Sequence, residues 1–186
     1  VGPALLMATV RGYLRGLCRQ YPAPGELLGC LNNILCGEIA DDRFITLALA
    51  LLDRRTGAME ITVAGHLPSL IIRTDATVEE YPAGALPLGI MPNQQFIAQS
   101  TTLRPGDLLV LFTDGIIECF GAARIEPGME TFRRLLTQWR GATPAEIVKR
   151  IQTRLVELSG GTVSPHDDQT LLIIRRPAPP GWRQEP

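Results

Sequence analysis

Two short acidic segments are the parts of this chain best suited to chemistry. Phe112-Thr113-Asp114-Gly115 closes one run of apolar residues, and His166-Asp167-Asp168-Gln169-Thr170 precedes another. Each puts carboxylates where a buried strand is expected to emerge. A carboxylate there is costly unless it is paired, hydrogen-bonded or bound to a cation. Hard divalent cations such as Mg²⁺ and Mn²⁺ take such oxygen ligands. Gly115 would let the backbone approach a ligand closely. A plain structural role also fits, with Asp114 opening a turn and Asp167 and Asp168 capping a loop, and spacing alone leaves both readings open.

Zinc chemistry is a poor fit. The four cysteines (Cys18, Cys30, Cys36, Cys119) form no C-x-x-C pair, and there are only two histidines, His66 and His166. Such cysteines read as small buried hydrophobes in a reducing compartment, which implies a cytoplasmic protein.

The elements that must position the acidic segments follow from periodicity and punctuation. Leu6, Val10, Tyr13, Leu14 and Leu17 have helical spacing within Pro3–Gln20, and Tyr21-Pro22-Ala23-Pro24 breaks that helix. A second helix starts with Pro24 in its first turn and buries Leu27, Leu28, Leu31, Ile34 and Leu35. Arg43–Leu52 is continuously apolar, which predicts a strand buried on both faces. Asp53–Gly57 is a hairpin connection into a strand over Ala58–Val63. Ala64-Gly65-His66-Leu67-Pro68 interrupts that strand before another over Ser69–Arg73. Tyr81–Pro92 reads as a loop. Phe96–Leu103 and Asp107–Thr113 are strands joined at Arg104-Pro105-Gly106. Met129–Arg140 is predicted helical. Thr143 and Glu146 form a capping box opening a helix with a stripe of Ile147, Val148, Ile151, Leu155 and Leu158, which Gly160 and Gly161 stop. Thr170–Ile174 is a final buried strand.

Blocks of helices, strands, helices and a last strand argue for an α+β fold with antiparallel sheet. The chain has 186 residues, 45% of them hydrophobic and 20% charged, with a net charge of −1. That suggests one globular domain, or one domain and a fragment, without the basic excess of a nucleic-acid binder or a polybasic membrane patch. No apolar run approaches the roughly 18 residues of a membrane span, and no signal peptide is evident.

Six segments in order resemble the SpoIIE/RsbU-like bacterial branch of the PPM family, the type 2C metal-dependent serine/threonine phosphatases. Val1–Ala8 looks like the start of that family's first long helix. Phe44–Gly57 is similar to its F-x-T-x-x-x-x-x-x-D-x-x-T-G strand and turn. Ala64–Pro68 resembles A-G-H-x-P, and Pro87-Leu88-Gly89 resembles P-L-G. Thr113-Asp114-Gly115 with Glu118, preceded by Leu103–Asp107, resembles T-D-G-x-x-E. Asp167–Leu172 resembles the closing D-D-x-T strand.

The resemblance implies an α-β-β-α sandwich whose carboxylates hold two Mn²⁺ or Mg²⁺ ions, with a metal-activated water attacking phosphorus. Residue by residue, it implies Asp114 and Asp167 as metal ligands, with Gly115 and Asp168 beside them either touching a metal or supporting the residues that do. His66 is mainly structural or touches substrate. The family's two further aspartate motifs lie upstream of its first helix, where this chain begins at Val1. The domain, over 1–176, is therefore expected to lack its N-terminal strands and part of its metal shell, and a Pro-rich tail over 177–186 to be disordered. The implied substrate is a phosphoserine or phosphothreonine protein, such as a STAS-type anti-sigma-factor antagonist. Neither nucleic acid nor membrane is an expected partner, and a homodimer is compatible with the resemblance.

Two other readings compete with this one. A haloacid-dehalogenase-like D-x-D-G loop would need a nucleophilic Asp where Phe112 stands, and Phe cannot attack phosphorus. A catalytically incomplete, phosphatase-like module that binds a signalling partner is the stronger alternative.

Overall fold

The computed structural model describes residues 2–39, 43–121, 125–158 and 168–178. Five helices and seven strands occur among them. They run α1 (Pro3–Leu17), α2 (Pro24–Glu38), β1 (Leu47–Leu52), β2 (Ala58–Ala64), β3 (Ser69–Ile72), β4 (Val78–Tyr81), β5 (Gln99–Thr102), β6 (Leu108–Phe112), α3 (Asp114–Gly121), α4 (Ile125–Trp139), α5 (Pro144–Leu158) and β7 (Leu171–Arg175). Two compact units divide the chain: Val1–Pro68 with Tyr81–Thr101, and Ser69–Glu80 with Thr102–Pro186.

The first unit holds α1, α2 and a sheet of order β1-β2-β5. Its core gathers Val10 of α1, Leu27, Leu28, Leu31 and Leu35 of α2, Ala64, Leu88 and Phe96. Ile34 is only half-buried, and Asn32 is fully buried instead. The Asn32 amide donates to the Met91 carbonyl at 2.8 Å and its oxygen accepts from the Gly89 N–H at 2.9 Å. A polar residue thus ties α2 to the P-L-G segment with both ends satisfied.

β1 and β2 pair antiparallel, from Leu47 opposite Ala64 to Leu52 opposite Met59. Asp53 makes the turn between them. Its carboxylate accepts from the Thr56 and Arg55 N–H groups, which hold its carboxyl below the usual range. Gly57 supplies the left-handed backbone, at φ 79°. The expectation that Arg43–Leu52 is buried on both faces is corrected. The strand is shorter and half-buried, with Leu51 50% exposed. β1 lies at the sheet edge, where a neighbour shields it on one side only. Ile45, Leu47 and Leu49 nevertheless pack against the helical core.

The second unit is built on a sheet of order β4-β3-β6-β7. β6 lies between β3 and β7, antiparallel to both, with Leu70 opposite Val110 and Phe112 opposite Leu171. Its central place explains the unbroken apolar run Leu108–Phe112, which is almost wholly buried. β7 was expected to be buried. It is an edge strand, and Leu172 is 47% exposed. β4 and α3 are additional to the predicted elements, and α4 begins four residues before the expected Met129. The Thr143–Glu146 capping box forms: the Glu146 carboxylate accepts from the Thr143 N–H at 2.8 Å and the Thr143 hydroxyl from the Glu146 N–H at 3.3 Å. Ile147, Ile151 and Leu155 of α5 are buried, whereas Leu158 is exposed. Gly160, Gly161 and all but the first residues of the tail lie outside the described residues.

Three connections run between the sheets: residues 65–68 lead from β2 of the first sheet to β3 of the second, residues 82–98 from β4 back to β5, and residues 103–107 from β5 to β6. The expected interruption of one strand is thus a change of sheet.

The four cysteines are free, as expected, but Cys18 is exposed and the other three are only partly buried. They are not core hydrophobes.

α3 and α4 approach each other through glycine. A Cβ on Gly128 would stand 2.2 Å from the Ile117 carbonyl oxygen, and one on Gly121 would stand 2.7 Å from the Gly128 nitrogen. Phe132 of α4 is fully buried, edge-on to Phe112 with ring centroids 4.8 Å apart. Gly128→Ala is expected to destabilise by about 1–3 kcal/mol, because backbone must shift to admit the methyl. At exposed Gly12 of α1 a Cβ would meet nothing within 4 Å. There Gly→Ala should stabilise by about 0.5–1 kcal/mol through helix propensity. Urea unfolding of the two variants measures both signs.

Candidate metal centre

The antiparallel pairing of β6 with β7 decides where the acidic segments go. β6 ends at Phe112 opposite Leu171, the first residue of β7. Residues following β6 and residues preceding β7 therefore share one end of the sheet. Thr113, Asp114 and Gly115 there meet Asp168, Gln169 and Thr170.

Hydrogen bonds join the two segments. The Thr113 N–H donates to the Thr170 carbonyl at 3.1 Å. The Thr113 hydroxyl donates to the Asp168 carbonyl at 3.1 Å and accepts from the Thr170 N–H at 2.9 Å. The Gln169 amide reaches the Cys119 sulfur at 3.3 Å and the Gly115 carbonyl at 3.5 Å.

Asp114 opens α3, where its negative charge complements the helix dipole. Its Oδ1 accepts from the Gly115 N–H at 3.1 Å, and the residue is exposed. Gly115 is buried beneath it, while Asp168 is exposed. These oxygen donors, open to solvent at the rim of a buried strand, suit a hard divalent cation. Asp167 lies outside the described residues. Among the described residues, no group of three or more His, Cys, Asp or Glu side chains is placed to hold a metal ion.

His66 belongs to the first unit and sits on the A-G-H-x-P connection. It is half-buried, with Nδ1 3.2 Å from the Leu67 carbonyl. The connection packs against the P-L-G segment. Gly65 has φ +60°, its N–H donates to the Ala85 carbonyl at 3.0 Å, and a Cβ would lie 2.3 Å from the Pro87 ring. Two motifs separate in sequence thus meet in one turn.

Asp114, Gly115 and Asp168 stand out in the sequence, whereas nothing local gives Thr113, Gln169 or Cys119 a role. Threonine in T-D-G was visible, but its partners lie more than fifty residues downstream and emerge only with the strand pairing.

The family model for Stage II sporulation protein E (SpoIIE) matches residues 1–177. The chain belongs to the SpoIIE family. Its mixed α/β architecture, with antiparallel sheets and five helices among the described residues, is that of PP2C phosphatase domains, as expected. Phosphoserine phosphatase RsbU of Bacillus subtilis (strain 168) is 28% identical over 177 residues, covering 93% of this chain and 51% of RsbU. The crystal structure of the RsbU and RsbW domains of Rv1364c from Mycobacterium tuberculosis superposes with a TM-score of 0.75 at 27% identity. It covers 95% of this chain and 49% of that one. The phosphatase domain of SpoIIE from Bacillus subtilis, presoaked with Mn, has the same fold. Its TM-score is 0.66 at 24% identity, over 93% of this chain and 76% of that one. This SpoIIE-family chain thus spans about half the length of RsbU.

Proposed function

We propose that residues 1–176 belong to a phosphatase domain that removes phosphate from phosphoserine or phosphothreonine on a regulatory protein in bacterial signalling. The observation that carries this reading is the hydrogen-bonded union of Thr113-Asp114-Gly115 with Asp168-Gln169-Thr170. It gathers the acidic segments of a SpoIIE-family chain at one sheet end.

Asp114 and Asp167 are the proposed ligands for Mn²⁺ or Mg²⁺, with Asp168 beside them. A bound divalent cation there supplies positive charge for phosphoryl oxygens and lowers the pKa of a coordinated water. Two such ions need several carboxylates, so the site takes further ligands from beyond the described residues. Asp114 contributes anionic charge fixed at the start of a helix. Gly115, buried behind it, keeps side-chain bulk away from the site. His66 is assigned to holding the A-G-H-x-P turn.

The similarity to a phosphoserine phosphatase supports the reaction class. The pairing of RsbU and RsbW domains in the mycobacterial chain supports a regulatory protein partner, for which a STAS-type anti-sigma-factor antagonist is the proposed substrate. A cytoplasmic location goes with that partner. The competing reading is a catalytically incomplete module that binds a signalling protein.

The intact protein, assayed on a phosphoserine peptide while Mn²⁺ or Mg²⁺ is titrated, separates the two. Metal-dependent phosphate release abolished by EDTA is the expected result. Release that ignores both metal and EDTA, or no release at any metal concentration, would sink the phosphatase reading.

A further inference from the structure

We propose that Thr113 is a positioning residue for the metal centre, its hydroxyl fixing the Asp168 backbone relative to the Asp114 segment. This rests on the phosphatase reading of the same site. The Thr113 hydroxyl is used in both directions. It donates its proton to the Asp168 carbonyl and accepts the Thr170 N–H, at 3.1 and 2.9 Å. It thereby spans the residues on either side of Gln169, while the Thr113 N–H binds the Thr170 carbonyl at 3.1 Å.

One side chain thus closes a ring around the start of β7. A peptide whose carbonyl and whose neighbour's N–H are both held cannot rotate freely. The Asp168 backbone is therefore held relative to the first turn of α3, one residue from Asp114. Gln169 reinforces the link by reaching the α3 residues Gly115 and Cys119. The Asp114 and Asp168 segments are held against each other by the protein's own hydrogen bonds, so metal binding need not order their backbone.

The serine variant keeps the hydroxyl and the valine variant keeps the shape. Thr113→Val should weaken Mn²⁺ binding by about tenfold or more, as loss of a group that orients metal ligands does. Thr113→Ser should restore affinity to near the unmodified protein. At saturating Mn²⁺, KM for a phosphoserine peptide should be unchanged in both. Binding is read from the free-Mn²⁺ signal in electron paramagnetic resonance titrations of the intact protein. Asp114→Asn is the control. If it binds Mn²⁺ as the unmodified protein does, the site reading has failed. If it loses Mn²⁺ while Thr113→Val retains it, only the positioning role is overturned.

A measurement on the unmodified protein keeps the proposal open to refutation even if Thr113→Val does not fold. The Thr170 amide should be protected from hydrogen exchange in EDTA, since its partner is the Thr113 hydroxyl. Protection that appears only after Mn²⁺ is added would show that the metal, not Thr113, orders the segment.

Discussion

Asp114→Asn in the intact protein is expected to lower metal-dependent phosphatase activity about a thousandfold, equivalent to roughly 4 kcal/mol of transition-state stabilisation. Asparagine has almost the shape of aspartate, and its side-chain oxygen can still accept from the Gly115 N–H, the bond Asp114 makes at 3.1 Å. What it lacks is the negative charge. A cation held by few carboxylates loses much of its binding when one becomes neutral. The helix α3 loses a favourable charge at its first residue. At an exposed helix start that is worth about 0.3–1 kcal/mol, too little to unfold the domain. Activity and stability should therefore separate. Steady-state phosphate release over a Mn²⁺ titration gives the first, and a thermal melt by circular dichroism gives the second. Activity within a few-fold of the unmodified protein, with the melt intact, would remove Asp114 from the metal centre.

The largest expected loss of stability comes from the second unit, at the buried cation Arg73. Arg73 is 5% exposed and Asp107 is fully buried. The guanidinium donates to Asp107 Oδ2 and to the Thr102 carbonyl, each at 2.6 Å. It also forms a two-pronged pair with Glu79, at 2.7 and 2.5 Å. Burial alone would depress the Arg73 pKa. The hydrogen bonds and charges of Glu79 and Asp107 outweigh it and raise the pKa, so the group stays charged. Asp107 also accepts from the backbone N–H groups of Thr74 at 3.2 Å and Arg104 at 2.9 Å.

Asp107→Ala would strip the cation of its most buried partner and leave two backbone donors short of an acceptor. Breaking a buried pair from one side costs about 3–5 kcal/mol. That is a large share of the roughly 5–15 kcal/mol that holds a domain folded. The exposed pair Arg154–Glu157, at 2.8 Å on α5, is the comparison. Glu157→Ala should cost at most about 1 kcal/mol. Chemical unfolding with a single transition measures both, and equal losses at the two sites would contradict the burial argument.

Asp107 also shows how a motif can be legible while its use is not. Leu103-Arg104-Pro105-Gly106-Asp107 was readable as a turn before a strand, and the turn is there. The reason for an aspartate at its end is Arg73, 34 residues earlier. No local pattern joins those positions. Asn32 is a similar case. It interrupts the apolar stripe of α2 and would be taken for a surface residue, yet its partners are Gly89 and Met91 across the unit.

What the sequence by itself determined is what closes within a few residues. The Thr143–Glu146 cap, the proline starts of α1 and α2, the Asp53 turn and the buried run of β6 all rest on such short-range bonds or on residue type. The family motifs were readable for the same reason, as short strings in a constant order. The tertiary structure alone decided which strands share a sheet, and hence which are edges. It sent β2 and β3 into different sheets although four residues separate them. It left β1 and β7 half-exposed despite apolar sequences that suit a sheet's centre. It also set Thr113 against Asp168 across 55 residues. Such pairings depend on non-local burial and loop closure, where many partners satisfy the same apolar pattern. Only the folded chain selects among them, and in doing so it brings the two acidic segments to one place.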